Sequence, residues 1–165
     1  MRLREWIAEF RRLHEKSRSK SLSSDEERAY REGRDDLAVM LVAAQRLTLG
    51  QGETPREALR AVRRLPLEIR TGGRAAQATT LDISRGGFSA MVPQPPEPGK
   101  TVEFTIRLAS GEISGPARVA NVLYVDGAFR VSFKLQAPSA ADVERMDSEV
   151  LDGALEHLTK LIERS

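Results

Sequence analysis

Apolar and polar positions divide the chain into three stretches of different periodicity. In the first, Leu3, Trp6, Ile7, Phe10 and Leu13 recur at the three-and-four spacing of one helix face, with Arg4, Glu5, Glu9, Arg11, Arg12 and Glu15 on the other sides. The serine-rich run Ser17–Ser24 ends that helix. A second is predicted to start at Ser24, whose spacing to Glu27 fits a capping box, with Asp25, Glu26 and Glu27 at its positive end. Tyr30, Leu37, Leu41, Ala44 and Leu47 mark its apolar stripe. Leu37–Ala44 is apolar nearly all round, which predicts cover on more than one face, and Gly50 and Gly52 supply the stop. An antiparallel helical hairpin is the economical arrangement.

From about residue 64 the pattern changes to short alternating runs: Leu65–Thr71, Ala75–Ile83, Phe88–Val92, Thr101–Leu108, Gly115–Tyr124 and Ala128–Leu135. Glycine and proline punctuate them, and Asp126-Gly127 is a strong tight-hairpin signal. Six short strands at this spacing predict a small sandwich or barrel. The helical period returns at 139–163. Ser139 is the expected cap, Met146, Val150, Leu151, Ala154 and Leu155 lie on the apolar side, and His157 flanks it as an ordinary surface histidine. The expected organisation is 1–55 helical, 56–138 barrel with an arginine-rich lead-in, and 139–165 a C-terminal amphipathic helix. The fold class is α+β.

Composition narrows the chemistry. The 165 residues include no cysteine and two histidines, His14 and His157. Disulfides, thiolate metal sites, cysteine nucleophiles and His-rich metal sites are thereby excluded. No apolar run reaches the roughly 20 residues of a membrane span. The N-terminus alternates charge with apolar residues and lacks a signal peptide's apolar centre, so a cytoplasmic protein is expected. Residues 1–64 carry 15 basic against 11 acidic side chains, whereas residues 65–165 carry 11 against 13. Arg56, Arg60, Arg63, Arg64 and Arg70 crowd into one segment. Such a run suits phosphate or guanine recognition, and equally suits a solvated basic linker.

Registering the hairpin through Gly72-Gly73 by its apolar faces sets Leu65 opposite Leu81, through an odd loop centred at Gly73. Arg64 then faces Asp82, with Ser84 on the same side, while Gly86 and Gly87 permit close approach of a ligand to the backbone. Guanidinium groups can grip the O6 and N7 acceptors of guanine, and a carboxylate can accept from its N1–H and N2–H₂. A guanine nucleotide satisfies this set, and a plain surface Arg64–Asp82 ion pair is the alternative.

Arg60-Ala-Val-Arg-Arg64, followed by Leu81-Asp82-Ile83-Ser84-Arg85-Gly86-Gly87-Phe88, resembles a PilZ domain: an RxxxR element before the first strand, then DxSxxG after a strand. The resemblance covers roughly residues 56–138. It implies a six-stranded antiparallel barrel that binds cyclic di-GMP through Arg60, Arg64, Asp82, Ser84 and Gly87, with Arg63, Arg85 and Arg130 as additional candidates. Arg130 stands where the family usually has glycine in its last barrel strand, so it either adds a phosphate contact or crowds a stacked base. The implied protein is a non-catalytic receptor or adaptor without cofactor or metal. Its helical leader resembles those of PilZ-like regulators of motility or polarity. It would act through a protein partner, as monomer or homodimer. The alternative is an adaptor that has lost the nucleotide. A nucleic-acid-binding barrel lacks its aromatic platform here, since Trp6, Phe10 and Tyr30 fall in helices. An enzyme lacks a nucleophile with a base, since Ser84 has no evident histidine partner.

Overall fold

The computed structural model describes residues 2–47 and 59–164, with side chains of 45–47 left aside. The expected helix stop at Gly50 and Gly52, and Arg56, lie outside the described residues. The chain forms two compact units. One holds the two N-terminal helices together with the chain from Leu155 onward. The other runs from Arg60 to Ala154.

In the helical unit, α1 (Leu3–Arg18) and α2 (Ser24–Leu47) form the expected hairpin. Phe10 stacks between Trp6 and Tyr30, each at 5.5 Å between ring centroids. Gly33 makes room for it, since a Cβ there would fall 2.7 Å from the Phe10 ring. The α2 cap lies one residue earlier than the spacing predicted. Ser23 Oγ accepts from the Glu26 N–H at 3.2 Å, and the Glu26 carboxylate accepts from the Ser23 N–H at 3.2 Å. Glu26 in this frame also reaches Lys16 and Arg12 of α1, which Glu27 does not. The expectation that the middle of α2 is covered on several faces fails: Val39 and Met40 are exposed.

The second unit is a barrel. Its strands are β1 (Ala61–Val62), β2 (Pro66–Thr71), β3 (Arg74–Ser84), β4 (Gly87–Val92), β5 (Thr101–Leu108), β6 (Gly111–Val125) and β7 (Ala128–Leu135). The order β3-β2-β5-β6-β7-β4 closes through the β3–β4 pairing into a six-stranded antiparallel barrel, with β1 as an extra strand on β3. Strict alternation drives it. In β5, Val102, Phe104, Ile106 and Leu108 point inward and the residues between them outward. Phe88, Phe104 and Phe133 fill the centre, with Phe88 centroids 5.2 and 4.9 Å from the other two. α3 (Ala140–Arg164) starts where predicted, the Ser139 hydroxyl accepting from the Asp142 N–H at 3.1 Å.

The β2–β3 register differs from the one the apolar faces predicted. Pro66 pairs with Thr79, and Thr71 with Arg74, through a two-residue loop. Gly72 and Gly73 both have positive φ (56° and 81°), the geometry of a tight turn whose twist matches the strands. The reason is a bulge: the β3–β4 register shifts between Thr80 and Asp82. Up to Thr80 the even-numbered residues of β3 share the inner face with Leu67 and Ile69. Beyond Leu81 the parity inverts, so Ile83 turns inward and Asp82 outward. Alternation read as unbroken through Leu81 and Ile83 misses this inversion.

Candidate functional site

The bulge aims Asp82 outward near the end of β3, beside the short strand that follows the first motif arginine. β1 pairs Val62 with Asp82 and Ala61 with Ile83, so Arg60 enters the barrel next to Asp82. Arg60 Nη1 lies 3.7 Å from Asp82 Oδ1. From the other side, Arg130 on β7 spans the intervening β4 and donates from Nη2 to Asp82 Oδ2 at 2.7 Å. Asp82 is nearly buried, whereas each arginine keeps about a third of its side chain in solvent (33% and 38%). Asp82 thus carries two guanidinium groups, one from each side.

Under this bridge lies Ser89 on β4, paired with Asp82 on one side and Ser132 on the other. Its hydroxyl is fully buried and has no hydrogen-bond partner among the described residues. Sequence reading misses Ser89, because a serine in an alternating strand looks like any outward polar residue.

The remaining motif residues separate by role. Ser84 Oγ donates to the Gly87 carbonyl at 3.4 Å, closing the β3–β4 turn. Gly87 is required by the barrel itself: a Cβ would collide with the Phe133 carbonyl oxygen on the neighbouring β7. Gly87 thus has a packing reason to be glycine, while Gly86 has open space around it. Arg64 does not face Asp82. It sits between β1 and β2, exposed, with no hydrogen bond or ion pair among the described residues. The backbone on both sides of it is pinned by Thr80, whose hydroxyl donates to the Arg63 carbonyl (2.5 Å) and accepts from the Leu65 N–H (2.9 Å).

Arg63 turns to the opposite side. Its Nε donates to Glu149 of α3 at 3.2 Å, and the other Glu149 oxygen accepts from the Ala109 N–H at 3.0 Å. Glu149 is 3% exposed. The only sequence signal for it is an acid between Met146 and Val150, on the apolar side of α3. Gly153, one turn on, packs 3.0 Å from Ala61 Cβ where its own Cβ would be. Arg85 reaches Asp147 at 3.5 Å from an exposed position. Thus Arg60, Asp82 and Arg130 converge, Ser84 lies beside them, and Arg63 and Arg85 engage α3. Among the described residues no acidic or histidine cluster could hold a metal ion, and no helix is long and apolar enough to cross a membrane.

The family model of the PilZ domain matches residues 54–151. The chain belongs to the PilZ domain family. Solved structures that share its fold include the following three. The Bacillus subtilis inhibitor of motility MotI/DgrA matches at 16% identity and TM-score 0.56, over 63% of this chain and 53% of that one. The PilZ domain of YcgR from Escherichia coli, with c-di-GMP, matches at 15% and 0.56, over 66% of this chain and 98% of that domain. The K. pneumonia MrkH–c-di-GMP complex matches at 24% and 0.55, over 66% and 56%. The chain therefore spans about half the length of MotI and MrkH. No curated protein matches the sequence.

Proposed function

We propose that this protein is a non-catalytic cytoplasmic receptor for cyclic di-GMP that regulates motility through a protein partner. The observation that carries the reading is the pairing of Arg60, from the segment leading into the barrel, with an outward Asp82 at 3.7 Å, Ser84 following two residues on. Asp82 can accept from guanine N1–H and N2–H₂, while Arg60 can grip O6 and N7. Arg64, exposed and without a partner among the described residues, is a donor ready for phosphate. YcgR and MrkH structures hold the same nucleotide on the same fold, and MotI is an inhibitor of motility. The N-terminal helices, which precede the arginine segment in sequence, carry the output to the partner.

Titration calorimetry with cyclic di-GMP tests this directly. A saturable heat at one or two nucleotides per chain, lost in Arg60→Ala and Asp82→Ala, is the expected result. Neither heat nor thermal shift at high ligand concentration would leave the second reading, an adaptor that binds protein without nucleotide. The 2.7 Å Arg130–Asp82 bond favours that second reading, because it occupies the acceptor guanine would use.

A further inference from the structure

The barrel closes along most of its height, but one strand outruns its neighbour. β5 pairs with β6 only as far as Arg118, and Lys100 and Gly99 add backbone bonds to Val119. β7 continues along the other side of β6 to Val125. Ala120–Val125 consequently has one edge bound to β7 and one edge that no described strand pairs. An open edge is a template for another strand, and proteins ordinarily block it with charge, proline or brevity. β1, the other edge, is two residues long. The β6 edge has none of these defences beyond the register shift at its start. Its sequence, Ala-Asn-Val-Leu-Tyr-Val, has no charge, proline or glycine, and Leu123 and Tyr124 are 51% and 69% exposed.

Parity decides which backbone groups are free. Val125 and Ala128 flank the two-residue turn at Asp126-Gly127 and form the hydrogen-bonded pair next to it. Val125, Leu123 and Asn121 then spend their backbone groups on β7, and Val122 and Tyr124 point N–H and C=O outward. This edge is complementary to itself. Laid antiparallel on a second copy with Leu123 on the two-fold axis, Val122 meets the copy's Tyr124, and Tyr124 its Val122. All four outward groups on each strand face partners. β-Branched residues oppose aromatic ones, a favourable cross-strand pair, and Leu123 meets Leu123. Asp126 falls opposite Ala120, so no like charges meet.

We propose that Ala120–Val125 is a homodimerisation edge, two copies pairing antiparallel about Leu123 to join their barrels in one continuous sheet. The inference does not depend on nucleotide binding.

Sedimentation velocity on the full chain across a wide concentration range provides the test. The wild type should show a reversible monomer–dimer equilibrium. Leu123→Lys and Leu123→Glu each place like charges face to face on the axis and should weaken association more than about tenfold. Mixing the two should restore a dimer, since opposite charges then meet. A wild type that stays monomeric to millimolar concentration overturns the proposal. So does a dimer indifferent to both variants, or a mixture that fails to associate. If a charge variant loses its cooperative melt, Tyr124→Pro replaces it. That change removes an outward N–H and no β7 bond, and retained dimerisation would equally overturn the proposal.

Discussion

Arg130 on β7 donates a 2.7 Å hydrogen bond to Asp82 on β3, reaching over β4 to do so. The bond ties the carboxylate of the DxSxxG element to a side chain of the last barrel strand. With Arg130 38% exposed, it stabilises the fold by about 0–1 kcal/mol, and on the proposed reading it competes with guanine for the Asp82 acceptor.

Arg130→Ala should accordingly leave the melting temperature nearly unchanged and tighten cyclic di-GMP binding, by about tenfold if the released acceptor contributes a typical ~1.4 kcal/mol. Calorimetry on the variant checks this. Weaker binding would instead make Arg130 a phosphate contact.

Arg63 and Arg64, neighbours in sequence, should behave oppositely. Arg63→Ala leaves the carboxylate of Glu149 buried with only the Ala109 N–H for company and should cost about 3–5 kcal/mol in chemical denaturation. Glu149→Gln in the same background should recover part of that loss. Arg64→Ala should leave stability within about 0.5 kcal/mol and weaken nucleotide binding only.

Gly87→Ala should destabilise the barrel by about 1–3 kcal/mol, because the added methyl meets a backbone carbonyl that cannot swing aside. Gly86→Ala, with open space around it, should be close to neutral. Equal losses in thermal melts would show that the turn, rather than β4–β7 packing, selects glycine.

The helical hairpin should weaken in mild acid. His14 is buried, with Nδ1 2.6 Å from the Tyr30 hydroxyl, and burial, reinforced by Arg18, pushes its pKa down to about 4. The unfolded chain takes up that proton near pH 6.5. Between about 6.5 and 4 the unfolded state binds more protons, so stability falls as pH is lowered, by at most about 1.4 kcal/mol per pH unit, and this group adds nothing further below 4. Helical melts across that range should show a weaker dependence on pH in His14→Phe than in the wild type.

What the sequence determined by itself was everything that repeats. Helix and strand periods placed all three helices and six barrel strands within a few residues, since burial of one face fixes a period locally. Asp126-Gly127 and Ser139 set a turn and a cap through chemistry confined to a few neighbours. The motif residues were equally legible as a string. What only the tertiary structure decided was which of them meet. The bulge at Leu81 inverted the parity of β3, a change that alternation cannot signal because Leu81 and Ile83 are both apolar. Closure of the barrel then brought β7 within reach of β3 across β4, setting Arg130 rather than Arg64 on Asp82. The same closure pressed Gly87 against Phe133, and packing of α3 engaged Arg63 with Glu149, 86 residues away. Contacts at such separations depend on strand register and sheet closure, and no local pattern of residues encodes either.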